Sequence, residues 1–113
     1  MTSIAPLSRR AFLALATPIA WSDGVRDSGA FVTVRIADFT FEPATLRIAI
    51  GQGVMWRNDD DVPHSVVHAG HPHVFRSRVL FRGDTFSNQF NAPGEFPYRC
   101  GIHPHMRGTI IVG

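Results

Sequence analysis

Apolar and polar residues alternate with a period of two along most of the chain beyond residue 30. Between residues 31 and 37, Val32, Val34 and Ile36 share one face, while Thr33 and Arg35 share the other. Alternation of this kind is typical of strands that bury one face. The same criterion predicts strands at 45–50, 54–57, 64–68 and 109–112, weaker ones at 74–81 and 85–90, and an inward-facing series Phe96, Tyr98 and Cys100.

Turn-forming residues separate these segments, as at 51–53 and 91–94. Ten glycines and eight prolines interrupt the chain, and no segment beyond residue 30 keeps a helical period for more than a turn or two. Many short strands between turns favour a β-sandwich or a small barrel. We therefore predict one all-β domain over residues 30–113, preceded by a polar, glycine-containing lead-in at 21–29.

The first twenty residues do not show the alternation that is typical of strands. Arg9 and Arg10 directly precede a short apolar run, and no acidic residue occurs before Asp23. This order is typical of a secretory signal, whereas an amphipathic helix would need a 3.6-residue period that is absent. The string SRRAFL resembles a twin-arginine export signal. We predict that residues 1–20 are such a signal and that the protein is exported to the periplasm.

Composition narrows the classes of function. The longest mostly apolar stretch, 11–21, is about half the length of a membrane span, so we expect no transmembrane segment in the mature chain. Loss of residues 1–20 would lower the formal net charge from +2 to zero by removing Arg9 and Arg10. The arginines beyond residue 30 are scattered singly along the sequence, so nucleic-acid binding is not expected. The single cysteine excludes an intramolecular disulfide and a Cys-pair zinc site. We expect a monomer.

Four side chains carry the candidate chemistry. Cys100, His103 and Met106 are spaced as C-x2-H-x2-M, and His64 follows Pro63 at the start of an upstream strand. Two imidazoles, a thiolate and a long axial thioether are the ligands of a blue-copper electron-transfer site. Zinc rarely takes a thioether, and calcium and magnesium prefer oxygen. The residues therefore predict a copper site.

Two strings also carry a family resemblance: DFTFEPATLRIAIGQGVMWRNDDDVPHSVV and FNAPGEFPYRCGIHPHMRGTIIV. They resemble the cupredoxins, the small blue copper proteins, and most closely the amicyanin and plastocyanin-like branch. The resemblance implies a Greek-key β-sandwich of about eight strands and one type 1 copper held by His64, Cys100, His103 and Met106. It also implies one-electron transfer between a donor and an acceptor protein. The sequence departs from the family at Ser65, where many members have Asn, and at His105, where amicyanin-like loops have Phe.

Further polar clusters have two interpretations each. His68, His71 and His73 are either a secondary metal site or, as we favour, an exposed histidine-rich loop, with His68 the nearest to the copper. The acidic run 59–61 is either a docking patch for a basic partner or, as we favour, a solvated turn capped by Asn58.

The sequence thus predicts a periplasmic electron carrier. The alternative on the same fold is a copper delivery, storage or resistance protein, which the extra histidines favour slightly. An enzyme is not expected, because a complete four-ligand site leaves no open position for a substrate.

Overall fold

The computed structural model describes residues 30–113, and the predicted signal and lead-in at 1–29 lie outside this range. The described part forms eight strands. They are β1 (Phe31–Ala37), β2 (Thr40–Glu42), β3 (Thr45–Ile48), β4 (Gly53–Asn58), β5 (Val67–His68), β6 (Thr85–Gln89), β7 (Gly94–Arg99) and β8 (Arg107–Val112). Within this part, no helix is long and apolar enough to cross a membrane.

The strands form two mixed four-stranded sheets, in the orders β2-β1-β4-β6 and β3-β8-β7-β5. In the first sheet β1 and β4 run parallel, and in the second β3 and β8 run parallel; the other pairs are antiparallel. One apolar core collects inward-facing side chains from both sheets. The predicted all-β sandwich is confirmed.

The centre of the core is aromatic. Trp56 on β4 and Tyr98 on β7 are almost fully buried, and their rings meet edge to face with centroids 5.3 Å apart. Burial raises the pKa of Tyr98 to about 12, and the nearby indole of Trp56 acts in the opposite direction. The Tyr98 hydroxyl and the Trp56 indole N–H nevertheless have no hydrogen-bond partner among the described residues. Tyr98 also lies opposite Gly108 on β8, where a Cβ atom would overlap its ring and hydroxyl. This packing fixes the strand that leads to Cys100.

The structure reduces the predicted strand 64–68 most and removes the one at 74–81, while β3 ends at Ile48 rather than at residue 50. The segment 64–68 is a strand only at its last two residues, and His64 pairs through an isolated bridge to Leu80. The segment 74–81 is not a strand, because only Arg76 and Leu80 form bridges there. Ser77 instead interrupts the pairing, since its hydroxyl accepts the N–H of Val66 and donates to the next carbonyl. The short strand β2 was not predicted, because three residues with one buried side chain are too few to establish a period.

Candidate metal centre

Three of the four predicted ligands converge at one end of the sandwich. The Nδ1 atoms of His64 and His103 lie 3.3 Å apart, and each lies 3.7–3.8 Å from the Sγ atom of Cys100. His64 and Cys100 are fully buried, and His103 is half-buried. No other group of three His, Cys, Asp or Glu side chains within residues 30–113 is close enough to share an ion.

Two segments that are distant in sequence bring these atoms together. Cys100 follows β7, whose alternation turns it inward, two residues after the buried Tyr98. His64 is held by paired backbone hydrogen bonds with Leu80, of 2.7 and 3.0 Å. Both donors are therefore supported by the sheet framework.

The segment from Cys100 to Met106 is a tight loop closed by its own backbone. The N–H of Met106 donates to the carbonyl of His103 (2.9 Å), and the N–H of Cys100 donates to the carbonyl of Met106 (3.1 Å). The Met106 side chain is 3% exposed and belongs to the apolar core. The fourth predicted ligand thus lies at the closing point of the ligand loop, directly before β8.

Two backbone N–H groups donate hydrogen bonds to the cysteine sulfur. Ser65 and His103 each donate a backbone N–H to Cys100 Sγ at 3.4 Å. Two N–H donors directed at one sulfur form the hydrogen-bonded environment that suits a metal-bound cysteine. The hydroxyl of Ser65 also accepts the N–H of Gly101 at 2.9 Å. Ser65, which stands where many family members have Asn, thus hydrogen-bonds the segment of Cys100 through both its backbone N–H and its hydroxyl.

Asp60 contacts the far side of the first histidine, a contact that the sequence analysis did not identify. Its Oδ2 atom lies 2.8 Å from His64 Nε2. A carboxylate there holds the proton on Nε2 and leaves the Nδ1 lone pair facing Cys100 and His103. The spacing D-x3-H was a signal available in the sequence, but a turn of three consecutive aspartates does not reveal which one points inward.

The same carboxylate also binds an adjacent turn. The N–H groups of Asp38 and Phe39 donate to its two oxygens, at 2.8 and 3.0 Å. Both turn residues have left-handed backbone angles, with φ of 51° and 58°. Burial of Asp60 acts to raise its pKa, but these N–H groups and His64 outweigh it and hold the pKa below the ordinary value of 3.8. Asp60 therefore joins His64 to the turn between β1 and β2.

Phe39 is a second residue that the sequence analysis missed. Its ring lies edge to face against both imidazoles, with centroids 5.4 Å from His64 and 5.0 Å from His103. The side chain is 44% exposed, so it covers the cluster at the surface. In the sequence, a phenylalanine in this position looks like an ordinary buried core residue. The left-handed backbone of the turn is what directs its ring toward the two histidines.

The other histidines remain apart from this cluster. His68 packs against the rings of Phe75 and Phe96, and its Nδ1 accepts the N–H of Val74 at 3.0 Å. Burial, together with the imidazole of His73, lowers the pKa of His68. His68 is therefore a core residue, and the expectation that it lies nearest the copper has no support in these contacts. His105 is exposed beside His103, with ring centroids 6.3 Å apart.

The acidic run 59–61 differs from both interpretations of the sequence. Asp59 bonds Arg35 and Arg57, and Asp61 bonds Arg82. The Arg57 guanidinium is the main cause that holds the pKa of Asp59 below its usual value. Asn58 does cap the turn, since its Oδ1 accepts the N–H of Asp60 at 2.8 Å. The run is neither an unpaired acidic patch nor fully solvated, because each carboxylate has an intramolecular partner.

The donor set fits copper. Two imidazole nitrogens and a cysteine sulfur, all within 3.8 Å of one another, are the donor types of a borderline-to-soft metal site. The buried thioether of Met106 in the same loop is a soft ligand that disfavours magnesium and calcium.

Comparison with known proteins gives a consistent result. The family model described as a cupredoxin-like domain matches residues 9–112. Amicyanin-alpha from Methylorubrum extorquens is 37% identical over 82 residues, which cover 70% of this chain and 69% of the relative. Amicyanin from Paracoccus versutus is 30% identical over 99 residues, which cover 84% and 72% of the two chains.

Solved structures show the same likeness. An oxidised mutant of amicyanin superposes with a TM-score of 0.68 at 27% identity, covering 73% of this chain and 81% of that one. A purple cupredoxin from Nitrosopumilus maritimus superposes with a TM-score of 0.67 at 29% identity, covering 72% and 98% of the two chains.

Proposed function

Because this chain belongs to the cupredoxin-like family, we propose that it is a type 1 copper protein that carries single electrons between redox partner proteins. The observation that carries the proposal is the convergence of His64, Cys100 and His103, with two backbone N–H groups aimed at the sulfur. A cysteine sulfur that accepts two N–H groups and lies between two imidazoles can bind both the soft Cu(I) ion and the borderline Cu(II) ion.

We assign four ligands to one copper ion per chain. The two Nδ1 atoms and the sulfur of Cys100 would be the strong donors, and the thioether of Met106 would be the weak one. When bound, copper supplies a one-electron Cu(I)/Cu(II) couple. Since these four side chains complete the site, no position remains for a substrate, and we propose no catalytic activity.

The chain's own contribution is to keep the donors in one arrangement. His64 is fixed on one side by its backbone bridge and on the other by Asp60. Cys100 is fixed by the N–H groups of Ser65 and His103. Donors held from outside do not need to move when the charge at the site changes, and this lowers the reorganisation that accompanies electron transfer.

Electrons enter and leave through the half-buried edge of the site. His103 lies on the loop near the surface, next to the exposed side chains of Phe39 and Ile102. A partner that contacts these apolar groups comes close to the imidazole of His103 without water between them. His105 makes this surface more polar than a phenylalanine would.

We further propose export to the periplasm as a monomer, with residues 1–20 as the twin-arginine signal, 21–29 as a lead-in and 30–113 as the copper domain. The arginine pair and the following short apolar run support the signal. Arg9→Lys and Arg10→Lys together should retain the protein in the cytoplasm. Periplasmic accumulation of this double variant would contradict the twin-arginine route.

Copper loading of the purified protein tests the function. We expect one Cu(II) per chain, an intense blue thiolate-to-copper absorption, and a reversible one-electron wave in voltammetry. Cys100→Ser should abolish the colour, whereas the control His105→Ala should retain it. Met106→Gln should keep the copper but lower the reduction potential, because a harder ligand favours Cu(II).

The outcomes separate the alternatives. Colourless protein after loading would overturn the copper assignment. Several bound copper ions without a reversible wave would instead support storage or delivery. We favour an electron carrier over a storage or delivery protein, because residues 30–113 contain a single cluster of side chains that could bind a metal ion.

A further inference from the structure

The arginines of the described part fall into two sets. One set pairs with carboxylates: Arg35, Arg57, Arg78 and Arg82. The other set has no carboxylate within salt-bridge distance among residues 30–113: Arg47, Arg76, Arg99 and Arg107. Within residues 30–113, the positive charge of the second set is therefore not neutralised by a carboxylate.

Three of these unpaired arginines are aligned across one sheet. Arg76 forms a bridge to Val67 on β5, Val67 lies opposite Arg99 on β7, and Arg99 lies opposite Arg107 on β8. Directly opposed residues project from the same face of a sheet. Because Tyr98 points into the core, Arg99 and its cross-strand neighbours point outward. We call Arg76, Arg99 and Arg107 the arginine row; with strands about 4.8 Å apart, it spans roughly 14 Å.

The arginine row lies beside the ligand loop. Arg99 directly precedes Cys100, and Arg107 directly follows Met106. Arg76 lines a cleft of about 410 Å³ whose other walls include Gly101 and Ile102 of that loop. A molecule bound to the row therefore lies against the segment that carries the proposed copper ligands.

Little negative charge opposes the row on this face. Arg47 on β3 lies opposite Ile111, and Ile111 lies opposite Glu95, at the other end of β7 from Arg99. Glu95 is the one acidic residue among the strands of this sheet. The outer face is thus positive, while the acidic residues of the described part are concentrated near the other sheet, where arginines neutralise most of them.

We propose that the arginine row is the docking surface for an acidic patch on a redox partner protein; this inference rests on the proposed electron-carrier function and names the chemistry of one partner. Fixed positive charge next to the ligand loop steers a negatively charged surface toward it and sets the orientation of the encounter. The exposed aliphatic side chains of Val79 and Ile102 border the same cleft and give such a partner an apolar contact.

A protein surface fits better than a nucleic acid or a membrane. Arginines and acidic residues nearly balance in the described part, whereas nucleic-acid-binding domains are strongly basic. Val67, which lies between Arg76 and Arg99, is aliphatic, and the row itself has no aromatic side chain on which a base could stack. It is also too short to follow a phosphate backbone beyond a few charges.

Two triple variants with equal loss of charge test the proposal. The row variant carries Arg76→Gln, Arg99→Gln and Arg107→Gln. The control variant carries Arg35→Gln, Arg47→Gln and Arg82→Gln, which are all outside the row. Circular dichroism and the copper absorption verify that both are folded, and the single variant Arg76→Gln, outside β7 and β8, replaces the triple if it does not fold.

The first measurement is the rate of oxidation of the reduced copper protein at low ionic strength. With the anionic oxidant ferricyanide, the row variant should react about tenfold more slowly than the wild type, and the control within about twofold of it. With the cationic oxidant tris(phenanthroline)cobalt(III), the row variant should react at least as fast as the wild type. Equal slowing of the two variants by ferricyanide would overturn the local role of the row.

The second measurement needs no copper. Titration of the full-length apo-protein with an oligoglutamate peptide, followed by NMR, should shift signals of the row and the ligand loop, and the row variant should lose this binding. Stronger binding of oligothymidylate or of phosphatidylserine vesicles would overturn the choice of partner. Failure of copper loading would refute the proposed function, while loss of peptide selectivity alone would refute only the docking surface.

Discussion

Replacement of Asp60 by asparagine tests whether its carboxylate organises the metal centre. The side chain is 14% exposed and accepts three hydrogen bonds. Oδ1 accepts the N–H of Asp38, and Oδ2 accepts both the N–H of Phe39 and the Nε2 proton of His64. Asparagine has the same shape but supplies only one acceptor oxygen, so its orientation decides which bonds are lost.

One orientation of the new amide is much less costly than the other. With its NH₂ group in place of Oδ2, it would face the N–H of Phe39 and force the His64 proton onto Nδ1, the nitrogen that faces Cys100. With its NH₂ group in place of Oδ1, only the N–H of Asp38 loses its acceptor. We therefore expect the second orientation, with the His64 tautomer retained.

The expected cost follows from these contacts. Asp38 is exposed, so water replaces part of its lost bond, and this contributes about 1 kcal/mol. The bonds from Phe39 and His64 remain but are no longer charge-assisted, which contributes about 1 kcal/mol more. Urea unfolding of apo Asp60→Asn at neutral pH should therefore give a free energy of unfolding about 2 kcal/mol below wild type.

The neighbouring Asp61→Asn is the matched control. Asp61 is exposed and pairs only with exposed Arg82, so its replacement should change the free energy of unfolding by less than about 0.5 kcal/mol. In the copper-loaded proteins, Asp60→Asn should also raise the reduction potential, because a neutral partner on His64 stabilises Cu(II) less well. Equal unfolding free energies for the two variants would refute the organising role of Asp60.

Three further predictions concern packing, titration and the link between the ligand segments. Gly108→Ala should lower the free energy of unfolding by about 2–3 kcal/mol, because Tyr98 is packed too tightly to move, whereas the control Gly53→Ala should cost under about 1 kcal/mol, since its overlap is with the half-exposed ring of Phe31; equal losses would contradict this difference. Tyr98, the only tyrosine, should ionise near pH 12 in an ultraviolet titration of the folded protein. The unfolded chain loses this proton near pH 10, so the stability that Tyr98 contributes is complete below pH 10 and is lost as the pH rises toward 12; tyrosinate absorption near pH 10 before unfolding would contradict the burial argument. Ser65→Ala should cost about 1 kcal/mol in urea unfolding yet keep the blue absorption, because its backbone N–H still reaches the sulfur; loss of the colour would show that the hydroxyl is needed for metal binding.

The strands and the ligand cluster were largely predictable because they depend on local patterns. Alternation identified β1, β4 and the inward position of Cys100, and chemistry selected the donors among the available side chains. Residues 74–81 were misassigned because the Ser77 hydroxyl, rather than a backbone carbonyl, accepts the N–H of Val66, so the pairing with 64–68 is not continuous. Single-residue bridges leave no periodic signal in a sequence.

The supporting contacts were not predictable, since they depend on which distant residues meet. Asp60 and its two neighbours have the same side chain, and only the turn between β1 and β2 determines which one reaches His64. The arginine row was equally impossible to predict from the sequence. Its members are well separated in sequence and become neighbours only through the pairing of β5, β7 and β8.

The position of β8 has a consequence for the order of assembly. This last strand lies inside its sheet, between β3 and β7, and contributes pairing to both. Until residues 107–112 are in place, β3 and β7 have no strand between them, so the sheet cannot close. The barrier to folding should include this long-range insertion, and the loop that carries His103 should gain its final shape only in the same late event.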